Sequence, residues 1–343
     1  MHCCANCFGD SFLDRRIPEL SAKIGNCDFC EQKGVTVVEP AKLLDYFQSI
    51  SSIYSESDSS EAKLLVLWFK EDWQIFSSLT QIQAQSLLGE VLNDGEVVRK
   101  THAPRIVQER AAVEKWQSFR EEIIWKNRFF FQHELDLDRL KALFDTYLEA
   151  DLSRFSNTIY RARIQSSNLV IPANQMGRPP ADRAKNGRAN PVGIPYLYAA
   201  SSSDTAIAET RPHPGDLVSV ARYTVIPSLR LLNLINPKKT ISPFGVDDED
   251  KLAALRYDLE FLCHLGSELS KPILPRVADL EYLPTQYLCE FIKNSGYDGV
   301  IFQSSISEGV NIALFDDSKV QVQEVSQYEV TQLRYENRQV PTH

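Results

Sequence analysis

The first thirty residues hold five of the chain's seven cysteines, and four of these form two Cys-x2-Cys pairs. Cys4 and Cys7 make the first pair, and Cys27 and Cys30 make the second after nineteen intervening residues. Each pair can chelate an ion from one tight turn, and four thiolates are the ligand set of a tetrahedral structural zinc. So short a segment cannot bury enough apolar surface to fold alone. The spacing therefore predicts a zinc-binding knuckle over residues 1–36.

Four protein ligands would leave the ion no open position, so we expect the Zn2+ to stabilise the fold and not to act in catalysis. His2 and Cys3 compete as ligands beside the first pair. Free thiols without a metal are the alternative, although cytosolic chains seldom carry paired knuckles by chance.

Residues 37–156 carry apolar side chains at helical spacing, for example Phe47 and Ile50, which predicts a mostly helical domain. The serine-rich stretch 51–60 is predicted to be a loop. The Asn-Asp-Gly sequence at 93–95 is a turn signal and predicts the end of a helix.

The pattern changes in residues 157–343, where short apolar runs alternate with two longer helical stretches. The run at 217–226 alternates as in a half-buried strand. These elements predict an α+β domain with a mainly antiparallel sheet. The predicted strands are 158–164, 196–199, 217–226, 300–303, 311–315 and 320–325, and the predicted helices are 248–269 and 284–294.

The formal net charge of the chain is −9, which argues against a surface that binds nucleic acid by neutralising phosphates. The chain has no run of eighteen apolar residues, and its first residues lack the basic and apolar regions of a signal peptide. We therefore expect a cytoplasmic protein with neither a nucleic acid nor a membrane as partner.

One region departs from this acidic character. Residues 158–230 contain nine Lys or Arg against four Asp or Glu. Such a concentration suits a compact anionic ligand, because arginine holds phosphate oxygens in pairs, although a solvated basic face is the alternative.

The same region contains a glycine-bounded loop, 187–193. Gly187 and Gly193 allow the backbone to approach a ligand closely, while Arg188 and Asn190 supply donors.

An aromatic residue and a carboxylate follow this loop. Tyr198 ends a short apolar run, so its ring could stack on a flat heterocycle while its hydroxyl stays accessible. Ser203 and Asp204 are predicted to cap a helix that carries Glu209 in a fixed direction.

Together these residues resemble the RES domain family over about residues 156–330. The spacing from Arg188 to Tyr198 to Glu209 agrees with the family pattern. Ala189, where many members carry a larger residue, departs from it, and Ser305 beside Ser304 complicates the choice of serine. The matching elements are Tyr160-Arg161, the loop 187–193, Leu197-Tyr198, Glu209 and Ser304.

The resemblance implies a fold like that of ADP-ribosyltransferases, and the cysteine pairs with a helical segment are similar to the extension of a long subset of RES proteins. It also implies a toxin-like enzyme that degrades NAD+ by hydrolysis or phosphorolysis. The expected partners are therefore NAD+ as substrate, inorganic phosphate as a second substrate, and an inhibitory or antitoxin protein.

The resemblance further implies residue roles. Loss of nicotinamide creates a ribosyl cation, so Glu209 would oppose the developing positive charge. Arg188 would clamp phosphate, Tyr198 would stack on nicotinamide or ribose, and Ser304 would position phosphate, water or ribose. A surface glutamate, a structural ion pair and a core tyrosine are the alternatives for the first three.

Three further residues, Arg161, Asn190 and Gly193, are expected to contact NAD+ directly. Arg161 would share the pyrophosphate with the loop, and Asn190 and Gly193 would contribute its amide and close backbone.

Three other functions remain open from the sequence. The first is an ADP-ribosyltransferase that uses the same pocket on a macromolecule. The second is a HEPN-like ribonuclease, because Arg128-x4-His133 matches the short motif of that class. The third is a binding module that uses the zinc knuckle to contact a protein.

Overall fold

The computed structural model describes residues 1–105, 111–132, 135–150, 157–334, 337 and 339. The chain forms two compact units, each assembled from two stretches of sequence. The first unit is Met1–Gln117 with Asn236–His264, and the second is Ser118–Ile235 with Leu265–His343.

The described helices and strands are as follows. The helices are α1 (Ser11–Leu20), α2 (Leu44–Ser51), α3 (Leu65–Trp73), α4 (Gln81–Leu92), α5 (Ala111–Trp125), α6 (Leu137–Leu143), α7 (Ser203–Glu209), α8 (Pro237–Thr240), α9 (Glu249–Ser270), α10 (Ala278–Glu281) and α11 (Leu283–Asn294). The strands are β1 (Ile24–Gly25), β2 (Val35–Thr36), β3 (Tyr54–Glu56), β4 (Lys63–Leu64), β5 (Thr101–Pro104), β6 (Thr158–Ile164), β7 (Leu197–Ala200), β8 (Leu217–Val225), β9 (Leu231–Asn233), β10 (Gly299–Gln303), β11 (Val310–Leu314) and β12 (Val320–Glu329).

The first unit is largely helical, and its helix ends follow from local side-chain bonds. Thr80 caps α4 and forms a capping box with Gln83, and Asn93 ends that helix in a left-handed conformation with φ of 50°. The core of the unit is a buried aromatic cluster. Its members include Phe8, Phe47, Phe69, Phe76 and Phe244.

A small sheet of order β3-β5-β4 also lies in the first unit. The predicted loop 51–60 was therefore wrong in part, since Tyr54–Glu56 pairs with Thr101–Pro104. Pairing across more than forty residues is a long-range contact that serine-rich local composition does not reveal.

The second unit is built around a seven-stranded sheet of order β12-β8-β6-β7-β11-β10-β9. Only the β10–β9 pair is parallel. The apolar side chains of one face form a continuous buried cluster that includes Leu197, Ile301 and Leu314. The predicted α+β class, with a helical N-terminal region and a mainly antiparallel sheet, is confirmed.

The strand β8 differs from its prediction. Its residues do not alternate, because Val218, Ser219, Val220 and Ala221 are all buried. The strand lies between β6 and β12 and side chains cover both of its faces, whereas the sequence pattern predicted one solvent-facing side.

The segment after α5 holds three consecutive phenylalanines in different environments. Phe129 and Phe130 are 83% and 88% exposed, whereas the ring centroid of Phe131 lies 5.1 Å from that of Phe119. His133, the second residue of the HEPN-like motif, lies outside the described residues.

Across the part of the chain that the structure describes, every helix is too short or too polar to cross a lipid bilayer.

Candidate active site and metal centre

The four cysteines predicted as ligands come together in the first unit. Their sulfur atoms all lie within 4.8 Å of one another, with Cys4 Sγ 3.4 Å from Cys30 Sγ and Cys7 Sγ 3.3 Å from Cys27 Sγ. Zinc–sulfur bonds of about 2.3 Å in a tetrahedron would place the sulfurs about 3.8 Å apart. The donor set and its spacing therefore fit one Zn2+ ion.

The two competing ligands point elsewhere. Cys3 Sγ donates to the carbonyl oxygen of Val38 at 3.6 Å, and His2 Nε2 lies 2.9 Å from Lys23 Nζ. Neither residue belongs to the four-cysteine group.

The second unit contains a cavity of about 410 Å3. Four of the predicted site residues line it, namely Arg161, Arg188, Tyr198 and Glu209. The loop 187–193, strands β6 and β7, and helix α7 supply these residues, so the basic segment of the sequence surrounds a single space. Asn190, Gly193 and Ser304 are not among the lining residues.

Glu209 is the last residue of α7. The helix begins where Ser202, one residue before the predicted cap, accepts a hydrogen bond from the Thr205 amide. Glu209 Oε1 accepts hydrogen bonds from Ser304 Oγ at 2.7 Å and from Asn311 Nδ2 at 2.6 Å. Within the described residues Oε2 has no hydrogen-bond partner, so one oxygen is held by the protein and the other is available to a ligand.

Ser304 donates a hydrogen bond to this carboxylate but does not line the cavity. It follows β10, is 7% exposed, and its Oγ also accepts from the amides of Ile306 and Ser307. Ser305 lines the cavity instead. The two adjacent serines therefore differ in position, since Ser304 bonds Glu209 and Ser305 lines the cavity.

The two predicted arginines each use one donor within the protein. Arg161 Nη1 donates to the carbonyl oxygen of Tyr198 at 2.9 Å, and Arg188 Nη1 donates to that of Lys271 at 2.8 Å. Burial lowers the pKa of both guanidinium groups, and the nearby Glu209 opposes this shift at Arg188. Arg161 Nε is buried without a partner among the described residues. Both groups therefore keep donors for an anion.

A third arginine, Arg211, also lines the cavity. Its backbone has φ of 52°, and its exposed guanidinium has no partner in the described part of the chain. Arg211 is one of the nine basic residues between 158 and 230, but it was not predicted as a site residue.

The Tyr198 hydroxyl is not accessible, contrary to the prediction. It accepts a hydrogen bond from the Ala189 amide at 3.0 Å and donates to Asn190 Oδ1 at 2.7 Å. A Cβ atom at Gly187 would lie 2.6 Å from this hydroxyl, so glycine is required there. Burial raises the pKa of Tyr198, which keeps the phenol neutral.

Asn190 and Gly193 shape the loop and do not face the cavity. The Asn190 side-chain amide donates to the carbonyl oxygens of Lys185, Pro191 and Ile194. Gly193 has φ of 83°, which favours glycine, and its amide donates to Ala184. Their expected contact with NAD+ stays a prediction.

Two further polar or aromatic residues of the cavity, besides Arg211, were not predicted from the sequence. Asn311 lies on β11, and Tyr282 lies between α10 and α11 with its ring centroid 5.5 Å from the guanidinium carbon of Arg188. Asn311 was detectable as a polar residue at the start of an apolar strand, whereas nothing near Tyr282 signals a site.

The fold and cavity thus define an α+β domain with a carboxylate and several arginines around one space. The RES domain family matches residues 158–336, just over half of the chain, and the chain belongs to this family.

No curated protein matches the sequence. Among solved structures, the chain is similar to one from the M. tuberculosis MbcT–MbcA toxin–antitoxin complex. The two are 12% identical, the match covers 55% of this chain and 92% of the other, and the TM-score is 0.32.

Proposed function

We propose that the second unit degrades NAD+ by cleaving the bond between nicotinamide and ribose. Membership of the RES family supports an NAD+-degrading, toxin-like activity in general. The observation that carries the specific proposal is the Glu209 carboxylate, which faces the cavity with one oxygen fixed by Ser304 and Asn311.

A fixed carboxylate suits this reaction because the bond breaks toward a ribosyl oxocarbenium ion. Positive charge grows at the anomeric carbon, and a preoriented negative group stabilises it without reorganising. Oε2 of Glu209 would oppose that charge or accept a ribose hydroxyl, while Oε1 stays bound to the protein.

The arginines suit the other half of the substrate. Arg161 and Arg188 would bind the pyrophosphate with the donors left after their backbone contacts. Arg211, whose guanidinium has no partner among the described residues, adds a third cation. The cavity of about 410 Å3 lies within the range of about 300–1,000 Å3 typical of small-molecule sites.

Roles for the remaining predicted residues follow from their contacts. Ser304 would orient Glu209, and Tyr198 and Asn190 would hold the loop that carries Arg188. We also propose that Tyr282 supplies the aromatic surface that the sequence analysis assigned to Tyr198, because its ring borders the same cavity.

We propose that the four cysteines hold a Zn2+ ion that stabilises the first unit. We also propose that the chain is organised as a zinc knuckle over 1–36, a helical domain over 37–156 and a catalytic domain over 157–343. An enzyme that destroys NAD+ in a cytoplasm would harm its own cell, so we also propose control by an inhibitory or antitoxin protein.

The test is to incubate the purified chain with NAD+ labelled in its ADP-ribose part, with and without inorganic phosphate, and to identify products by mass. Free ADP-ribose would show hydrolysis, and ADP-ribose 1″-phosphate would show phosphorolysis. Label on a macromolecule would show transfer and replace the proposal by an ADP-ribosyltransferase. Intact NAD+ under every condition would refute it.

A further inference from the structure

The second unit contains a cluster of four charged side chains, one of which belongs to Lys271, whose backbone carbonyl binds Arg188. This charge cluster consists of Arg120, Glu268, Lys271 and Glu281. Arg120 Nη2 donates to Glu281, and Arg120 Nε lies 3.4 Å from Glu268 Oε2. Lys271 Nζ donates to the two oxygens of Glu268 at 2.9 and 3.0 Å and lies 3.5 Å from Glu281. Two cations and two carboxylates thus neutralise each other.

Arg120 is the unusual member of the charge cluster. It lies on α5, ahead of the residues 158–336 that match the RES family, whereas the other three lie within them. The extension therefore contributes a side chain to the surroundings of the cavity.

The charge cluster reaches Arg188 through Lys271. The carbonyl oxygen of Lys271 accepts from Arg188 Nη1, and the Lys271 side chain is bound to Glu268. Because Arg120 also contacts Glu268, it helps to fix the end of α9 that holds this carbonyl.

Glu281 provides a second connection, from the charge cluster to the start of α11. Tyr282 follows Glu281 in sequence, and Thr285 Oγ1 donates to the Arg188 carbonyl oxygen at 2.7 Å. Gln286 Nε2 donates to the carbonyl oxygens of Gly187 and Asn190. The first turn of α11 therefore holds the loop 187–193 from behind.

We propose that Arg120 is a positioning residue of the active site, which it serves by holding Arg188 and its loop in the geometry that binds the anionic part of the substrate. This inference rests on the proposed NAD+-degrading function for its kinetic consequence, but its structural consequence can be measured without any substrate.

Arg120 is expected to matter because it balances the charge of carboxylates that water solvates poorly. The side chains of Arg120 and Glu268 are 20% and 8% exposed, so solvent screens them weakly. Without Arg120 the charge cluster carries an excess negative charge, and Glu268 and Glu281 lose the partner that fixes them. The Lys271 carbonyl and the start of α11 then hold Arg188 and its loop less firmly, so substrate binding weakens more than the chemical step does.

The test uses Arg120→Gln in the full chain. We expect KM for NAD+ to rise by about tenfold, equivalent to about 1.4 kcal/mol, and kcat to change by less than about threefold. Arg120→Lys, which keeps the charge, should recover most of the affinity. Amide hydrogen exchange of 187–193 should also be faster in Arg120→Gln than in the wild type.

Arg230→Gln is the matched control. Arg230 makes a two-bond ion pair with Glu149 in the same unit, lies over the ring of Tyr297, and does not line the cavity. We expect it to lower the melting temperature with no effect on KM or on exchange of the loop.

Unchanged KM and loop exchange in Arg120→Gln would overturn the inference, as would equal effects in the Arg230→Gln control. If Arg120→Gln does not fold, Glu281→Gln removes the same ion pair from the other side, and normal loop exchange in it would overturn the inference. If the wild type leaves NAD+ intact but loop exchange still accelerates, the proposed function fails while the positioning role of Arg120 stands.

Discussion

The cysteine cluster and the Glu209 cavity use their side chains in opposite ways. The four sulfurs are alike, come from two short turns and converge on one point, where a single Zn2+ ion would occupy them all. The cavity groups are unlike one another, and the charged ones use only part of their hydrogen-bonding capacity within the protein. Glu209 keeps Oε2 and the arginines keep donors. A metal site that stabilises a fold therefore uses every one of its ligands, whereas a site for chemistry leaves some hydrogen-bonding capacity free to bind substrate.

The largest effect is expected from removing one ligand of the four-cysteine group. Cys7→Ser removes one of four thiolates, so we expect bound zinc to fall from one ion per chain to nearly none, with loss of the cooperative unfolding transition of the first unit. Elemental analysis and thermal denaturation would measure these changes.

Cys3→Ser is the control for that prediction. A serine hydroxyl can still donate to Val38, as the thiol does, and the residue stands outside the four-cysteine group. Zinc loss in Cys3→Ser, or full zinc retention in Cys7→Ser, would show that the ligands have been misassigned.

An effect smaller than the loss of the Glu209 charge itself is expected from the groups that fix this carboxylate. Ser304→Ala and Asn311→Ala each remove one hydrogen bond to the carboxylate, a bond worth about 1.5–3 kcal/mol. We expect each to lower kcat/KM for NAD+ by about 10- to 100-fold. Steady-state kinetics of nicotinamide release would measure the loss.

Ser305→Ala separates the two serines. Ser305 lines the cavity but does not bond Glu209, so its loss should change kcat/KM by less than about threefold, within the range of a surface contact. A larger loss in Ser305→Ala than in Ser304→Ala would reverse the assignment.

Local patterns account for what could be predicted from the sequence. The zinc ligands are set by local spacing, and every predicted cysteine joined the group. The strand at Thr158–Ile164 and the helix over 248–269 were predicted closely because apolar periodicity is also local.

The contacts within the cavity could not be predicted in the same way. Glu209 meets Ser304 and Asn311 across about a hundred residues, because β7 pairs with β11 in the centre of the sheet. Sheet order depends on long-range packing that no local pattern encodes. The Tyr198 hydroxyl was predicted to be free for a different reason. Its partners in the loop 187–193 are near in sequence, but the loop has no regular periodicity from which its fold onto the hydroxyl could be predicted.

The smallest effect is expected from Tyr198→Phe. The change leaves the Ala189 amide without its partner, which should lower the free energy of unfolding by about 1–3 kcal/mol. Turnover of NAD+ should fall by less than about tenfold, because the ring and the fixed Glu209 remain. Urea denaturation and kinetics on the same preparation would measure both.

Tyr160→Phe is the control, since Tyr160 lines the cavity and its hydroxyl has no hydrogen bond among the described residues. A large loss of kcat in Tyr198→Phe at unchanged stability would mean that the hydroxyl acts directly on the substrate.

The most direct measurement is nicotinamide release from NAD+ by the wild type, Glu209→Gln and Glu308→Gln. Glutamine keeps the size and the hydrogen-bonding oxygen of Glu209 but removes the charge that would oppose the ribosyl cation. Glu308, an exposed glutamate that does not line the cavity, is the matched control. We predict that Glu209→Gln lowers kcat by about 10²- to 10³-fold at an unchanged melting temperature, while Glu308→Gln matches the wild type. Wild-type turnover in a folded Glu209→Gln variant would contradict the role of this carboxylate.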